Sequence, residues 1–361
     1  MTMTIEVDET SARLAATRSG ARRLRVAAKR MLALVVIACL ATSAHAQTAP
    51  TIERVRIGLP IGGSGQDDGT TRNGTWAPVA VTLRAGKEGN SRNVYRLRIE
   101  TTDLQDIAYR ATVVVPALAP DGQQTVTGYI VPGGDGATFR VTVETVEGQA
   151  IRSRTLPSRE STRAPVAGAD DILFFGAGAG LSQLRRAADK LDKPDGKEVP
   201  DTDAGRRLVA HTADVPLLPD RWIGYDAADV VVLMTGNRDF VLQLLQDDAA
   251  PRRAALVEWV RRGGQLVVSV GSNQQDVAKL LAKMPLIDCK ITGVELNQKL
   301  PEVSRGWSDR TANRPILQQV ELTTLELGDR VDVLVREERK PVIVQASRGL
   351  GRVLQIGRAH V

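Results

Sequence analysis

Ser272 is the first residue in this chain whose type and position suggest chemistry. It lies in 267-VVSVGSN-273, where an apolar run ends in a sharp turn toward a helix-patterned stretch. A hydroxyl at such a turn attacks an acyl carbon once a histidine takes its proton and a third group orients that histidine. The chain has three histidines: His45 lies in a leader-like segment and His360 in the closing residues, which leaves His211. No histidine stands at a position expected to activate Ser272, so its expected role is to cap or shape the turn. Cys289, in 286-LIDCKIT-292, is expected to be a buried small hydrophobe. His211 ends the apolar stretch 207-RLVAHT-212 with no second histidine to share a metal, so a structural role is expected.

Other groups resemble sites more weakly. The glycines of 176-GAGAG-180 follow a strand pattern and open a helix pattern, as a dinucleotide site would. Their spacing is G-x-G-x-G, and no acid clearly ends the next strand, so a tight turn is expected and no cofactor. Asp220, Asp226 and Asp229 suggest a metal cluster, but their spacing fits solvated loop positions and a strand start better. No metal is expected. Asp247 and Asp248 precede a helix start, where negative charge suits the dipole, and 337-EERK-340 reads as a charged turn.

Charge and composition narrow the partners. Aromatics make up 3% of the chain, too few for stacking platforms that read sugars or single-stranded nucleic acid. Of the net charge of +6, residues 1–46 carry +4, so the remaining body is close to neutral and a poor phosphate binder. Nucleic acid is not an expected partner.

Those 46 residues pattern as an export signal. Lys29 and Arg30 precede the apolar run 31-MLALVVIACLA-41, and Ala44-His45-Ala46 offers a small-x-small cleavage site before Gln47. The run is too short to span a bilayer as a mature helix. The stretch 36-VIAC-39 also fits a lipoprotein box with Cys39 acylated, a second route that the shortness of the apolar run makes less favoured. Either way the body keeps one cysteine, Cys289, and no internal disulfide. At the other end, 356-IGRAHV-361 is what ATC GGA AGA GCA CAC GTC TGA encodes, the start of a common sequencing adapter. The natural sequence is therefore expected to run out near Gln355, with the true C-terminus and a membrane anchor missing.

The elements that would position these groups fall into two grammars. Over residues 51–157, stretches such as 77-APVAVTLRA-85, 94-VYRLRIET-101 and 138-TFRVTVETV-146 alternate apolar and polar residues between turn-rich pieces. Six or seven short strands there predict an antiparallel β-sandwich, with Trp76 as a core plug. Residues 158–170 read as a polar, proline-containing linker. From residue 171 to 355 strands alternate with helices, the mark of a mostly parallel sheet. The run 228-ADVVVLM-234 is solidly apolar, as a strand covered on both faces requires. Pro251 opens a helix that buries Ala255, Leu256, Trp259 and Val260 and that Gly263 ends. The tail, 331-VDVLVRE-337, 341-PVIVQAS-347 and 352-RVLQI-356, predicts a β-meander.

The patterns 218-LPDRWIGYDAADVVVL-233, 256-LVEWVRRGGQLVVSVG-271 and 341-PVIVQASRGLGRV-353 resemble the class I glutamine-amidotransferase-like superfamily. More narrowly, the chain resembles exported, membrane-anchored proteins of planctomycete-type bacteria that place a β-sandwich before such a domain. The resemblance covers about residues 51–355 and implies a flavodoxin-like sheet. It also implies a catalytic cysteine at the elbow turn and a histidine and glutamate late in the chain. Here Gly271 stands where the cysteine belongs, and the late hairpin offers Gln345, Ser347 and Arg348 instead. The expectation is a pseudoenzyme that binds an envelope protein or ligand. The alternative is a hydrolase or transferase using the crevice near Gly236, Asn237, Gly271, Ser272 and Asn273.

Overall fold

Strands whose side chains alternate must bury one face, and the chain does this with two antiparallel sheets. The computed structural model describes residues 49–61, 69–87, 89, 94–133, 138–156, 166–178, 184–186, 188, 205–270, 273–297, 302 and 320–357. The first half contains β1 (Thr51–Ile57), β2 (Leu59–Pro60), β3 (Gly69–Arg72), β4 (Ala77–Arg84), β5 (Tyr95–Thr102), β6 (Ala108–Val115), β7 (Gln123–Ile130), β8 (Phe139–Thr145) and β9 (Ala150–Leu156). One sheet has the order β1-β4-β7 and another β6-β5-β8-β9, antiparallel throughout. Val55, Val79, Val81 and Leu83 of the first share one apolar cluster with Leu97, Ile99, Val141 and Val143 of the second. The period of two in the sequence thus becomes one dry face per sheet.

The second half holds β10 (Val166–Ala167), β11 (Ile172–Gly178), β12 (Arg207–Thr212), β13 (Val230–Met234), β14 (Gln265–Ser269), β15 (Cys289–Asn297), β16 (Val320–Leu327), β17 (Asp332–Glu337), β18 (Lys340–Arg348) and β19 (Gly351–Ile356). Its main sheet has the order β12-β11-β13-β14-β19-β18-β17, the first five strands parallel and the last two antiparallel. The meander therefore joins the parallel sheet by its final strand. This is an α/β arrangement beside a β-rich part.

Three helices pack on this sheet: α1 (Arg238–Leu245), α2 (Ala250–Arg261) and α3 (Gln274–Lys283). Pro251 sits in the first turn of α2, and Gly263, at φ 124°, turns the chain out of it. The buried face of α2 holds Ala255, Leu256, Trp259 and Val260, as the spacing predicts, but also Arg253. Arg253 donates to the carbonyls of Leu244 and Gln246 (2.7 Å for the latter), which satisfies the end of α1. Among the described residues no helix is long and apolar enough to cross a membrane.

The structure departs from the sequence reading in several places. Val166–Ala167, inside the expected linker, pairs in parallel with β3, which itself pairs with β2. Residues 158–165 lie outside the described residues. Trp76 is half-buried rather than a core plug: its ring meets Tyr109 edge-on at 5.9 Å, and its backbone N–H donates to Asp226 at 3.1 Å. The ribbon of β15 and β16 was not foreseen, and Leu322 from it joins Val335, Val342 and Ile343 in a satellite core. In the expected charged turn, Glu337 is 1% exposed. The last strand, β19, ends at Ile356 as the run 352–356 predicts, and the Ile356 carbonyl accepts from Val270 N–H at 2.9 Å. The expected export signal, residues 1–46, and residues 358–361 lie outside the described residues.

Candidate functional site

The register of the parallel strands brings Thr212, Gly178, Met234, Ser269 and Ile356 to one edge of the sheet. Open α/β sheets place ligands at that edge, where the strand order reverses. Here the reversal falls between β11 and β13. Gly178 has φ 111°, and a Cβ added to it would lie 2.0 Å from the Met234 carbonyl oxygen. The two backbones touch where a ligand would otherwise sit, and only glycine permits the approach. That contact by itself requires a glycine at position 178; Ala179 and Gly180 lie outside the described residues.

The candidate crevice residues that follow β13 and β14 and are described, Gly236, Asn237 and Asn273, are engaged with the backbone of these loops and of α1. Asn237 caps α1, its Oδ1 accepting from the N–H groups of Asp239 at 3.0 Å and Phe240 at 3.3 Å. Asn273 Nδ2 donates to the carbonyls of Thr235 at 3.0 Å and Gly236 at 3.2 Å. The hydroxyl of Thr235, a fully buried residue, donates to the Ser269 carbonyl at 2.6 Å. Two loops are thereby clamped together through side chains that sequence reading marked as possible ligand contacts. Thr235 was missed, since a lone threonine after an apolar strand carries no signal. A Cβ at Gly236 would meet no described residue within 4 Å. Gly271 and Ser272 lie outside the described residues.

His211 is the penultimate residue of β12, and Ile61 bridges to it in parallel. Its Nε2 lies 2.5 Å from the Gly178 carbonyl oxygen, an acceptor, so Nε2 carries the proton and donates it. The other nitrogen, Nδ1, is buried and has no hydrogen-bond partner among the described residues. Burial, the largest influence, holds the imidazole below its ordinary pKa, and the nearby Arg185 charge pushes the same way. From β12 to β14 is three strand spacings, about 14 Å. His211 and β14 are thus on strands separated by β11 and β13.

Cys289 is half-buried, and burial pushes its thiol up to about 11, with Asp288 adding to the effect. It is a weak nucleophile at neutral pH. The three aspartates that suggested a metal cluster serve three different elements and are not simply solvated. Asp229 accepts from Arg72 and from Leu173 N–H at 2.7 Å. Asp220 accepts from the Tyr129 hydroxyl at 2.5 Å, and Asp226 from Trp76. Each joins the α/β part to the strands that precede it. Among the described residues no group of three or more His, Cys, Asp or Glu side chains is placed to hold a metal ion.

No family model matches the chain, and no curated protein matches it. Solved structures give distant likenesses. The cytoplasmic protein STM3548 from Salmonella typhimurium is 12% identical over 52% of this chain and 87% of its own, with a TM-score of 0.37. A ThuA-like protein from Bacteroides uniformis is 12% identical over 52% of this chain and 82% of its own, with a TM-score of 0.28. The exo-beta-1,4-mannosidase Op5Man5 from Opitutaceae bacterium strain TAV5 is 12% identical over 52% of this chain and 30% of its own, with a TM-score of 0.31. Likeness at this level carries no argument about activity or ligand.

Proposed function

We propose that this chain is a non-catalytic extracytoplasmic binding or assembly protein, associated with the membrane and engaging an envelope protein or ligand. In this reading a β-sandwich precedes a flavodoxin-like, glutamine-amidotransferase-like unit that has lost its elbow cysteine and partner histidine. The observation that carries it is the state of His211. The proton on its Nε2 is committed to the Gly178 carbonyl, its Nδ1 is enclosed, and β14 lies three strands away. With the side chains of Thr235, Asn237 and Asn273 engaged in holding the loops, the crevice is a structural joint.

The test is the purified full chain against a panel of ester, amide and glutamine substrates. Without nucleophile and base, what remains gives roughly 10³ over water, below ordinary detection. No turnover is expected, and Ser272→Ala changes nothing measurable. Turnover abolished by Ser272→Ala overturns the reading and makes the chain a hydrolase or transferase with Ser272 as nucleophile. Export is tested separately by sequencing the mature N-terminus after expression in a Gram-negative host. A cytoplasmic product that retains Leu34 removes that part of the proposal.

A further inference from the structure

The arginines of this chain differ in what they already hold. Arg54 and Arg56, on the outer face of the β1-β4-β7 sheet, have partners, and Arg54 lies opposite Thr82 in the ladder. Arg72 and Arg206 each close on a carboxylate. Arg261, Arg348 and Arg352 are different: among the described residues none makes a side-chain hydrogen bond or ion pair. The backbone brings all three to one place. Arg261 ends α2, and Arg348 and Arg352 stand on either side of the turn between β18 and β19. Leu350 N–H donates to the Arg261 carbonyl at 2.9 Å and Arg352 N–H to the Gly264 carbonyl at 3.1 Å, which fastens the turn to the helix end.

At the tip stands Leu350, 86% exposed, the most exposed large apolar side chain among the described residues. Gly349, at φ 62°, fits the first central position of a type II′ turn and leaves Leu350 the second. Turn tips favour glycine, asparagine, aspartate and serine, which water solvates well. Here a leucine is held out in solvent on a backbone fixed at both flanks. The acids on adjoining elements leave the three arginines unpaired. Glu258 is taken by Arg262, at 2.8 Å. Asp332 lies opposite Gln345, three residues back from Arg348. Arg262 itself lies 4.2 Å from the centre of the Trp222 ring, so tryptophan, leucine and arginine share this edge.

We propose that the β18–β19 turn is a contact for an anionic bilayer surface, with Leu350 entering the acyl boundary while Arg261, Arg348 and Arg352 meet lipid phosphates. Burial of the leucine supplies the apolar part of the attraction, and guanidinium groups match phosphate in charge and in paired donors. A protein partner would need a pocket shaped to one convex leucine and a contact area of many residues. A fluid bilayer needs neither. The inference deepens the membrane association proposed above and rests on that part of the reading alone. Turnover at the crevice would sink the non-catalytic reading and leave this one standing.

The test is an environment-sensitive fluorophore on Leu350→Cys in the full chain, with Cys39→Ser and Cys289→Ser so that only this position is labelled. Val94→Cys, 60% exposed, carries the same fluorophore as the control. Vesicles are phosphatidylcholine alone or with about 30% phosphatidylglycerol. At position 350 the emission is expected to shift to the blue and gain about threefold or more with the anionic vesicles only, and at position 94 to stay as in water. Adding Arg348→Gln and Arg352→Gln is expected to weaken the anionic-vesicle titration read at 350 by about tenfold or more. A silent probe at 350 on a vesicle-bound chain would assign membrane association to another segment and overturn this proposal alone. An equal response at 94, an equal response to uncharged vesicles, or an unchanged titration in the arginine variant overturns it as well. Saturable binding of polyglutamate with no vesicle response at 350 would assign the arginines to an acidic protein surface instead.

Discussion

The Arg72 guanidinium closes on both carboxylate oxygens of Asp229, Nη1 to Oδ1 at 3.1 Å and Nη2 to Oδ2 at 2.5 Å, across 157 positions of sequence. Nη2 also donates to the Asp171 carbonyl at 2.8 Å, so one side chain of β3 reaches the starts of both β11 and β13. The pair is partly exposed, at 16% and 37% for the two side chains, so it is discounted from the value of a fully buried pair. Arg72→Met is expected to cost about 1–3 kcal/mol in urea unfolding. A double-mutant cycle with Asp229→Asn should return a coupling well above that of a surface pair. Additive losses would show the bridge to be incidental.

Tyr129 makes a second fastening. Its hydroxyl donates to Asp220 and accepts from the N–H groups of Asp220 at 2.9 Å and Arg221 at 3.1 Å. Burial, then the Asp220 charge, drives the phenol well above its ordinary pKa, so it stays a neutral donor at any working pH. Tyr129→Phe keeps the ring and strands three partners. A loss of about 1–3 kcal/mol is expected by denaturant unfolding, and no change would mean that water replaces the hydroxyl freely.

Acid should weaken the fold in two stages. His211 titrates near 6.5 when unfolded and lower when folded. The unfolded chain takes up the proton first, so stability is full above 6.5 and declines as pH falls toward the folded value. Asp171 is held below 3.8, foremost by its hydrogen bonds from the Arg206 side chain, so its contribution is present above 3.8 and is lost as pH falls through the folded value. Urea midpoints from about pH 8 to 5 should drop for the native chain and flatten in His211→Gln. An unchanged slope in that variant would assign the decline to another group.

Gly178→Ala should destabilise by about 2–4 kcal/mol, because both its positive φ and the 2.0 Å approach to the Met234 oxygen exclude a Cβ. Gly236→Ala, whose Cβ would meet no described residue within 4 Å, is the matched control and should cost far less. Similar melting temperatures for the two would contradict this account of the loop contact.

The Cys289 thiol, at about 11, should react slowly with iodoacetamide at neutral pH and much faster in urea, where burial is lifted. Rapid native labelling would show the thiol to be activated.

The sequence made β1 and β4 to β8 legible through alternating apolar residues, and in the fold that alternation of burial is cleanest in β5, where every second residue is buried. β9, AIRSRTL, escaped because it has no fully buried residue, only half-buried and exposed ones. α1 to α3 were readable from Pro251, Gly263 and their apolar spacing. At the crevice, Gly236, Asn237 and Asn273 could be recognised as turn residues. Their tasks as cap and clamp could not, since Asn273 and Thr235 lie 38 positions apart. The fastenings Arg72–Asp229 and Tyr129–Asp220 join residues 157 and 91 positions apart, and no local pattern announces a partner so distant.

The outer face of β1-β4-β7, with Arg54, Arg56 and Thr82, is built to wait. During synthesis Arg72 emerges 157 residues before Asp229. At about 5–20 residues per second that interval is roughly 8–30 s. Throughout it, the surface destined for the α/β part has nothing to cover it. An apolar surface would be sticky for that long. One made of guanidinium, hydroxyl and amide groups stays hydrated until its counterpart arrives.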